Sequence, residues 1–207
     1  MLLLVSGATS TVNGNPSCGH LIVPRQWSDP DSLALVPNLW AMDNGCFNGL
    51  DVGGFMRMLY AYRRKDGCLF VTAPDVVGDA AETLYLWKFW APVIAALGHR
   101  PAFVAQDGLS RHRVPWAEMG ALFIGGTTEY KESPAARGLC GYAKSKGIWV
   151  HWGRVNGRKR YKKALESGAD SFDGTGFSIA ARTNIPLPAQ WRADLETGPA
   201  DLFDAAR

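Results

Sequence analysis

The sequence predicts a compact α/β barrel of the (β/α)8, TIM-like type, and three observations lead there. Short continuous apolar runs recur along the chain, each ending in Ser, Val, Gly or Asp. Runs without polar alternation suit strands covered on both faces of a parallel sheet. Stretches with helix caps and glycine stops alternate with these runs, which is the order of a repeated βα unit. Polar side chains gather where the runs end, and parallel barrels carry their chemistry at the C-terminal ends of their strands. An open doubly wound sheet is the alternative the same alternation allows.

In order, the runs are Leu2–Ser6, Leu39–Asp43, Leu69–Asp75, Ala102–Asp107, Ala121–Gly125, Ile148–Gly153 and Ala169–Asp173. His20–Val23 is an irregular candidate for the eighth strand. The opening Met1-Leu2-Leu3-Leu4-Val5 has no basic flank and reads as a first buried strand rather than a signal peptide. Asp79 with Glu82 makes a capping-box start, Leu84, Trp87, Ala91 and Ile94 line one helical face, and Gly98 is the stop. Pro92 is expected to kink or shorten that helix. Ser133-Pro134 opens another helix, closed by Gly147, and Asn156 opens a third, closed by Gly168. Residues 1–207 read as a single barrel domain, with 187–207 as an acidic C-terminal tail of little periodicity.

At 207 residues the chain is short beside the ~250 typical of such barrels. Its 47% apolar and 20% charged residues mark a globular protein, and its net charge of +3 is too small by itself to imply nucleic acid. Cys18, Cys46, Cys68 and Cys140 are dispersed, so no zinc-binding subdomain, metal site or disulfide framework is expected, and a reducing compartment fits. No apolar run approaches the ~20 residues of a membrane span, so no membrane partner is expected.

The run ends carry the chemistry. Asp43-Asn44-Gly45-Cys46-Phe47-Asn48 follows the second, Pro74-Asp75 the third, Gln106-Asp107-Gly108 the fourth and Gly125-Gly126 the fifth. His151-Trp152-Gly153-Arg154 closes the sixth and Ser171-Phe172-Asp173 the seventh, ahead of Gly174 and Gly176. On parallel strands these groups share one rim. A rim with three carboxylates, an amide and bare glycine backbone suits a small polar ligand and a reaction using both a nucleophile and an acid/base. A single such acid would serve equally well as a turn cap, as Asp before Gly often does.

In order and spacing, over residues 39–177, these motifs resemble the tRNA-guanine transglycosylase superfamily. Asp43-Asn44-Gly45-Cys46-Phe47-Asn48 is similar to the family's Asp-Ser-Gly-Gly-Phe-Gln, Gln106-Asp107-Gly108 to its Gln-Gly-Gly, and Ser171-Phe172-Asp173 to its Met-Phe-Asp. The resemblance implies Asp173 as covalent nucleophile and Asp43 as general acid/base. It implies Asp75, Gln106, Gly125, Gly126 and Asn44 as the base-binding set. Asn44, Cys46 and Asn48 depart from the usual Ser, Gly and Gln, and the Cys/His zinc element of the RNA enzymes has no counterpart. Shortness and lack of zinc make the chain look more like the deoxypurine-in-DNA protein A family of phages and bacteria. That likeness implies a pentosyltransferase exchanging guanine in DNA (RNA being possible) for a 7-deazaguanine such as preQ0, without a cofactor, in the cytoplasm of a bacterial or phage-infected host cell. A hydrolytic N-glycosidase using the same carboxylates is one alternative, and a barrel enzyme acting on a free phosphorylated metabolite is another.

Between Ser133 and Leu165 there are nine basic residues and no acid. Tyr161, Ala164 and Leu165 are expected to pack inward on the last helix. Arg154, Arg158, Lys159, Arg160, Lys162 and Lys163 would then form either an ordinary solvated face or, beside a sugar site, a phosphate track.

Overall fold

The computed structural model describes residues 1–7, 9–25, 27, 30, 39–63 and 65–197. Eight parallel strands close a barrel in chain order: β1 (Leu2–Val5), β2 (Cys18–Ile22), β3 (Trp40–Met42), β4 (Cys68–Thr72), β5 (Pro101–Ala105), β6 (Ala121–Ile124), β7 (Trp149–Trp152) and β8 (Ser171–Asp173). Pairing of β1 with β8, Leu3 opposite Phe172, completes the ring. The candidate eighth strand is therefore real and regular, and it begins at Cys18 rather than His20. Gly19 belongs there because a Cβ at that position would sit against the Leu39 carbonyl oxygen.

Helices α1 (Thr9–Val12), α2 (Val52–Ala61), α3 (Ala80–Ala96), α4 (Thr128–Lys131), α5 (Pro134–Ser145), α6 (Arg158–Glu166), α7 (Thr175–Ile179), α8 (Ala181–Asn184) and α9 (Leu187–Thr197) follow the strands. Asp79 caps α3 by accepting from Ala81 N and Glu82 N, at 2.9 and 3.0 Å. Pro92 does not end α3, which runs on to Ala96. Pro92 is exposed, so water can take the carbonyl that loses its N–H partner. The N-cap of α6 is Gly157, not Asn156; the Asn156 side chain instead accepts from Gly176 N at 3.5 Å. The stretch read as an acidic tail begins with α9, whose Trp191 packs on Tyr161 and Phe177 at ring separations of 5.6 and 6.2 Å. The remainder of that tail, 198–207, lies outside the described residues.

Side chains alternate across a strand, so one set of residues faces the barrel axis and the other faces the helices. Leu4, Leu21, Ala41, Phe70, Ala102 and Ala121 form the inner cluster, with Phe123 and Trp149 against it. Phe55, Trp87, Phe103, Leu122, Val150 and Phe172 belong to the larger shell between sheet and helices. Burial on both faces explains why the runs lacked polar alternation.

Candidate active site

The inward-facing series can be followed upward, two residues at a time. Ala41 leads to Asp43, Phe70 to Thr72, Ala102 through Val104 to Gln106, and Ala121 through Phe123 to Gly125. On β7 and β8 the series Trp149–His151–Gly153 and Ser171–Asp173 run side by side, with His151 opposite Ser171 in the register. The upper members of these series line one cleft with Asn44, Asp75, Gly126, Lys131 and Arg154; its empty space is about 510 Å³ out to its open mouth. A second, wider cleft adjoins it along β1, β2 and α7, lined by Ser6, Arg25, Gly174 and Thr175 among others. Asp43, Phe47, Arg154 and Asp173 line both, so the two acids stand where the clefts meet.

Asp173 is held on one side only. Its Oδ1 receives the backbone N–H of Arg154 at 3.1 Å and lies 3.1 Å from His151 Nε2. His151 is fully buried between the rings of Phe70 and Phe123, at 5.2 and 4.6 Å. Its other nitrogen, Nδ1, is 2.9 Å from Ser171 Oγ, which also accepts the Trp149 indole N–H at 2.8 Å. The Ser-His-Asp trio is not a hydrolase triad. Ser171 has no exposed surface and sits below the imidazole, away from the cleft.

Asp43 has a different setting. Its partners are backbone N–H groups of its own loop, Gly45 N at a long 3.4 Å and Asn44 N. Burial, then the nearby charges of Asp173 and Asp75, push its carboxyl up to about 7. A carboxyl that titrates near neutrality can both give and take a proton at working pH.

Asp75 anchors a small amide network. Asn44 Nδ2 donates to Asp75 Oδ1 at 2.6 Å and to Ala73 O at 2.7 Å, while Asn44 Oδ1 accepts from Cys46 N at 2.7 Å. Gln106 Nε2 donates to Asp75 Oδ2 at 2.5 Å, and Gln106 Oε1 accepts from Gly78 N at 2.9 Å. Burial raises the Asp75 pKa, and the two amide donors oppose that shift. Asn44 thus has both amide hydrogens committed and orients Asp75 rather than offering a donor to a ligand. Gln106 keeps one N–H to spare, and each Asp75 oxygen keeps a lone pair.

The glycines do something other than bare the backbone. A Cβ on Gly125 would meet Val104 Cγ1 and come within 3.0 Å of Gln106 Nε2, so this glycine makes room for the amide. Gly126, at φ 77°, gives its carbonyl to Arg154 Nη2 at 3.0 Å. Arg154 itself is the one non-glycine with positive φ (59°) among the described residues, and its guanidinium lies 4.7 Å over the Phe47 ring. The bend at Arg154 aims its own N–H at Asp173 while the side chain crosses the cleft mouth.

Sequence reasoning passed over Lys131. It is almost wholly buried, donates to Gly153 O at 3.1 Å and lines the inner cleft. Burial, with Arg154 adding to it, pushes its pKa down to about 8. Nothing in a four-residue helix after a Gly-Gly turn marks such a lysine as buried; only the closing of β7 beside β6 does that.

The basic helix divides. Lys163 is paired with Glu132, and Arg160 donates to Thr128 Oγ1 at 3.1 Å and Arg154 O at 3.4 Å, so both are tied into the fold. Arg158 pairs loosely with Asp194 and Lys162 with Glu166, each at 3.7 Å. Arg158 and Lys159 are the exposed cations nearest the rim end of α6. Tyr161 and Ala164 are buried as expected, and Leu165 half-buried.

Among the described residues no group of three or more His, Cys, Asp or Glu side chains could hold a metal ion, and the four cysteines are free. No helix among them is long and apolar enough to cross a membrane.

No family model matches the chain, and no curated protein matches it in sequence. Among solved structures, the Amycolatopsis orientalis BexX/CysO complex matches with a TM-score of 0.54 at 16% identity, over 95% of this chain and 91% of that one. A native KDPGal structure matches with a TM-score of 0.49 at 16% identity, over 93% and 90% of the two chains. At 16% identity the first likeness speaks to the overall architecture alone; the closed α/β barrel itself is read from the strand pairing.

Proposed function

We propose that this chain is a base-exchanging glycosyltransferase of the tRNA-guanine transglycosylase kind, replacing guanine in nucleic acid, by resemblance DNA, with a 7-deazaguanine. One observation carries the reading: two unlike carboxyl groups stand at the join of two clefts. Exchange at C1′ with retained configuration needs a carboxylate on one face of the sugar and a proton carrier near the departing base, the logic of retaining glycosidases. Asp173 attacks C1′ as the C1′–N9 bond breaks, the bonding electrons leave with guanine, and Asp43 supplies the proton that neutralises it. The incoming base then loses a proton to Asp43 and displaces Asp173, restoring both groups.

The inner cleft suits the base. The free lone pairs of Asp75 match the N1–H and amino donors of guanine, and the spare Gln106 N–H matches O6. Adenine would place an acceptor against Asp75 and a donor against Gln106, a mismatch worth ~1–3 kcal/mol or more. The outer cleft then takes sugar and phosphate, with Arg25 and Arg154 in its lining, and Arg158 and Lys159 stand exposed at the rim end of α6. The target nucleotide must be single-stranded or turned out of its stack to reach the join.

The test is nucleoside mass analysis after incubating the protein with an oligonucleotide and isotopically labelled guanine. Label in the polymer is expected from wild type, and none from Asp173→Asn. An abasic site in place of label would favour the hydrolytic N-glycosidase, and no change in any DNA or RNA would reject action on nucleic acid.

A further inference from the structure

The chain of hydrogen bonds beneath Asp173 has a direction that follows from the chemistry of its members. An indole N–H can only donate, so Ser171 Oγ accepts from Trp149. The serine hydroxyl has one hydrogen of its own, and its other partner in reach is His151 Nδ1 at 2.9 Å. At the far side of the ring, Nε2 faces a carboxylate oxygen at 3.1 Å. A bare ring nitrogen there would set lone pair against lone pair. In the neutral ring the arrangement closes in one way, with Ser171 donating to Nδ1 and Nε2–H donating to Asp173 Oδ1. The ring cannot turn over to escape this, being wedged between Phe70 and Phe123 with no exposed surface.

Arg154 N–H donates to the same oxygen at 3.1 Å. Among the described residues, nothing hydrogen-bonds Asp173 Oδ2, and the residue lines both clefts. We infer that Trp149, Ser171 and His151 form a one-way positioning relay that pins Oδ1 and leaves Oδ2 as the oxygen that attacks. This rests on the proposal that Asp173 is the nucleophile. His151 is then a positioning residue and not the acid/base, a role for which it has neither a free nitrogen nor access to the cleft. As Oδ2 attacks, negative charge drains from the carboxylate, and as the ester is displaced the charge returns. Two fixed donors on Oδ1 hold the plane of the group through both displacements without moving.

The experiment combines a tautomer measurement with activity. Long-range 15N–1H correlation at neutral pH, assigned by loss of the signal in His151→Gln, should show a neutral His151 ring with hydrogen on Nε2. Ser171→Ala removes the donor to Nδ1 and should shift the Nδ1 resonance, while the Asp173 carboxylate keeps the hydrogen on Nε2. For activity, His151→Phe fills the space between the two aromatic rings but offers no donor, and should lower the rate of covalent adduct formation by about 10²-fold. His151→Gln can still donate to Oδ1 and should recover at least part of that loss. A merely structural role would give no such ordering of Phe and Gln variants at equal thermal stability. An Nδ1–H tautomer or a doubly protonated ring in wild type overturns the relay, as does adduct formation at the wild-type rate in His151→Phe. Wild-type protein that shows the Nε2–H ring but neither adduct nor exchange overturns the transglycosylase reading, and the attacking-oxygen assignment with it.

Discussion

The two sides of the barrel mouth treat their acids in opposite ways. On the β7–β8 side, Asp173 is gripped by two donors on one oxygen, and those donors are themselves fixed by the strand register and a packed imidazole. On the β3 side, Asp43 is close to other carboxylates and is met only by the backbone N–H groups of Gly45 and Asn44 in its own loop. The same functional group is therefore held in a fixed orientation in one place and raised to the neutral range in the other. The difference lies in neighbours rather than in residue type, which is how one rim could supply the proposed nucleophile and acid/base from two aspartates.

The sharpest way to break this asymmetry is Asp43→Asn. Exchange should fall by about 10²–10³-fold, since leaving-group protonation and base deprotonation are both lost. Stability should move the other way. A carboxyl raised from 3.8 to about 7 in the folded state binds extra protons there, so its contribution is full below about pH 4 and is lost as pH rises to about 7. At pH 8 the asparagine variant should be more stable by roughly 2–4 kcal/mol, and the decline between pH 4 and 7 should flatten. Urea melts across that range read both slopes; an unchanged profile would mean that Asp43 titrates as an ordinary carboxyl.

A smaller effect is expected at Asp75, which sits on the Asp43 side and in the proposed reaction contacts the base rather than moving protons. Asp75→Ala should reduce guanine exchange by roughly 10–100-fold while oligonucleotide affinity stays nearly constant. Measuring both on one preparation separates a lost base contact from a folding defect, which would depress the two together. Gln106 loses its partner in this variant, so Asp75→Asn is the milder companion. The least drastic change is reversal of Arg158 and Lys159. Binding to oligonucleotides should weaken modestly, with the salt slope falling by roughly one unit per phosphate contact removed. Reversal of Lys163 should instead show as lost thermal stability, because its partner is Glu132. If the two reversals behaved alike, the division of α6 into an outward and a structural set would be wrong.

Much of this was legible in the chain. Strand runs and caps predicted the barrel because burial on both faces leaves a direct mark on composition. The six residues at the run ends that line the inner cleft, Asp43, Asp75, Gln106, Gly125, Gly126 and Asp173, converge as a parallel rim requires. What escaped was information held between distant segments. Gly53-Gly54 hid α2, because nothing local announces that the Asp51 cap fills the space a Cβ on Gly54 would need. The environment of His151 depends on Ser171 lying opposite it, a fact of register between strands twenty residues apart. The family resemblance of its motif puts Asn44 among the base contacts, and only the fold commits its amide to Asp75 and Ala73.

The meeting of two clefts at one pair of acids has a consequence for timing. Under the proposed exchange, a single Asp75–Gln106 edge accommodates one base, so outgoing guanine must clear the inner cleft before its replacement enters. Between those events the polymer is held in the outer cleft by its covalent link to Asp173. Initial-rate plots against each substrate should then run parallel, as for any substituted-enzyme cycle. Free guanine becomes a competitor of the incoming base, and the direction of net exchange is set by their relative concentrations and affinities rather than by the protein.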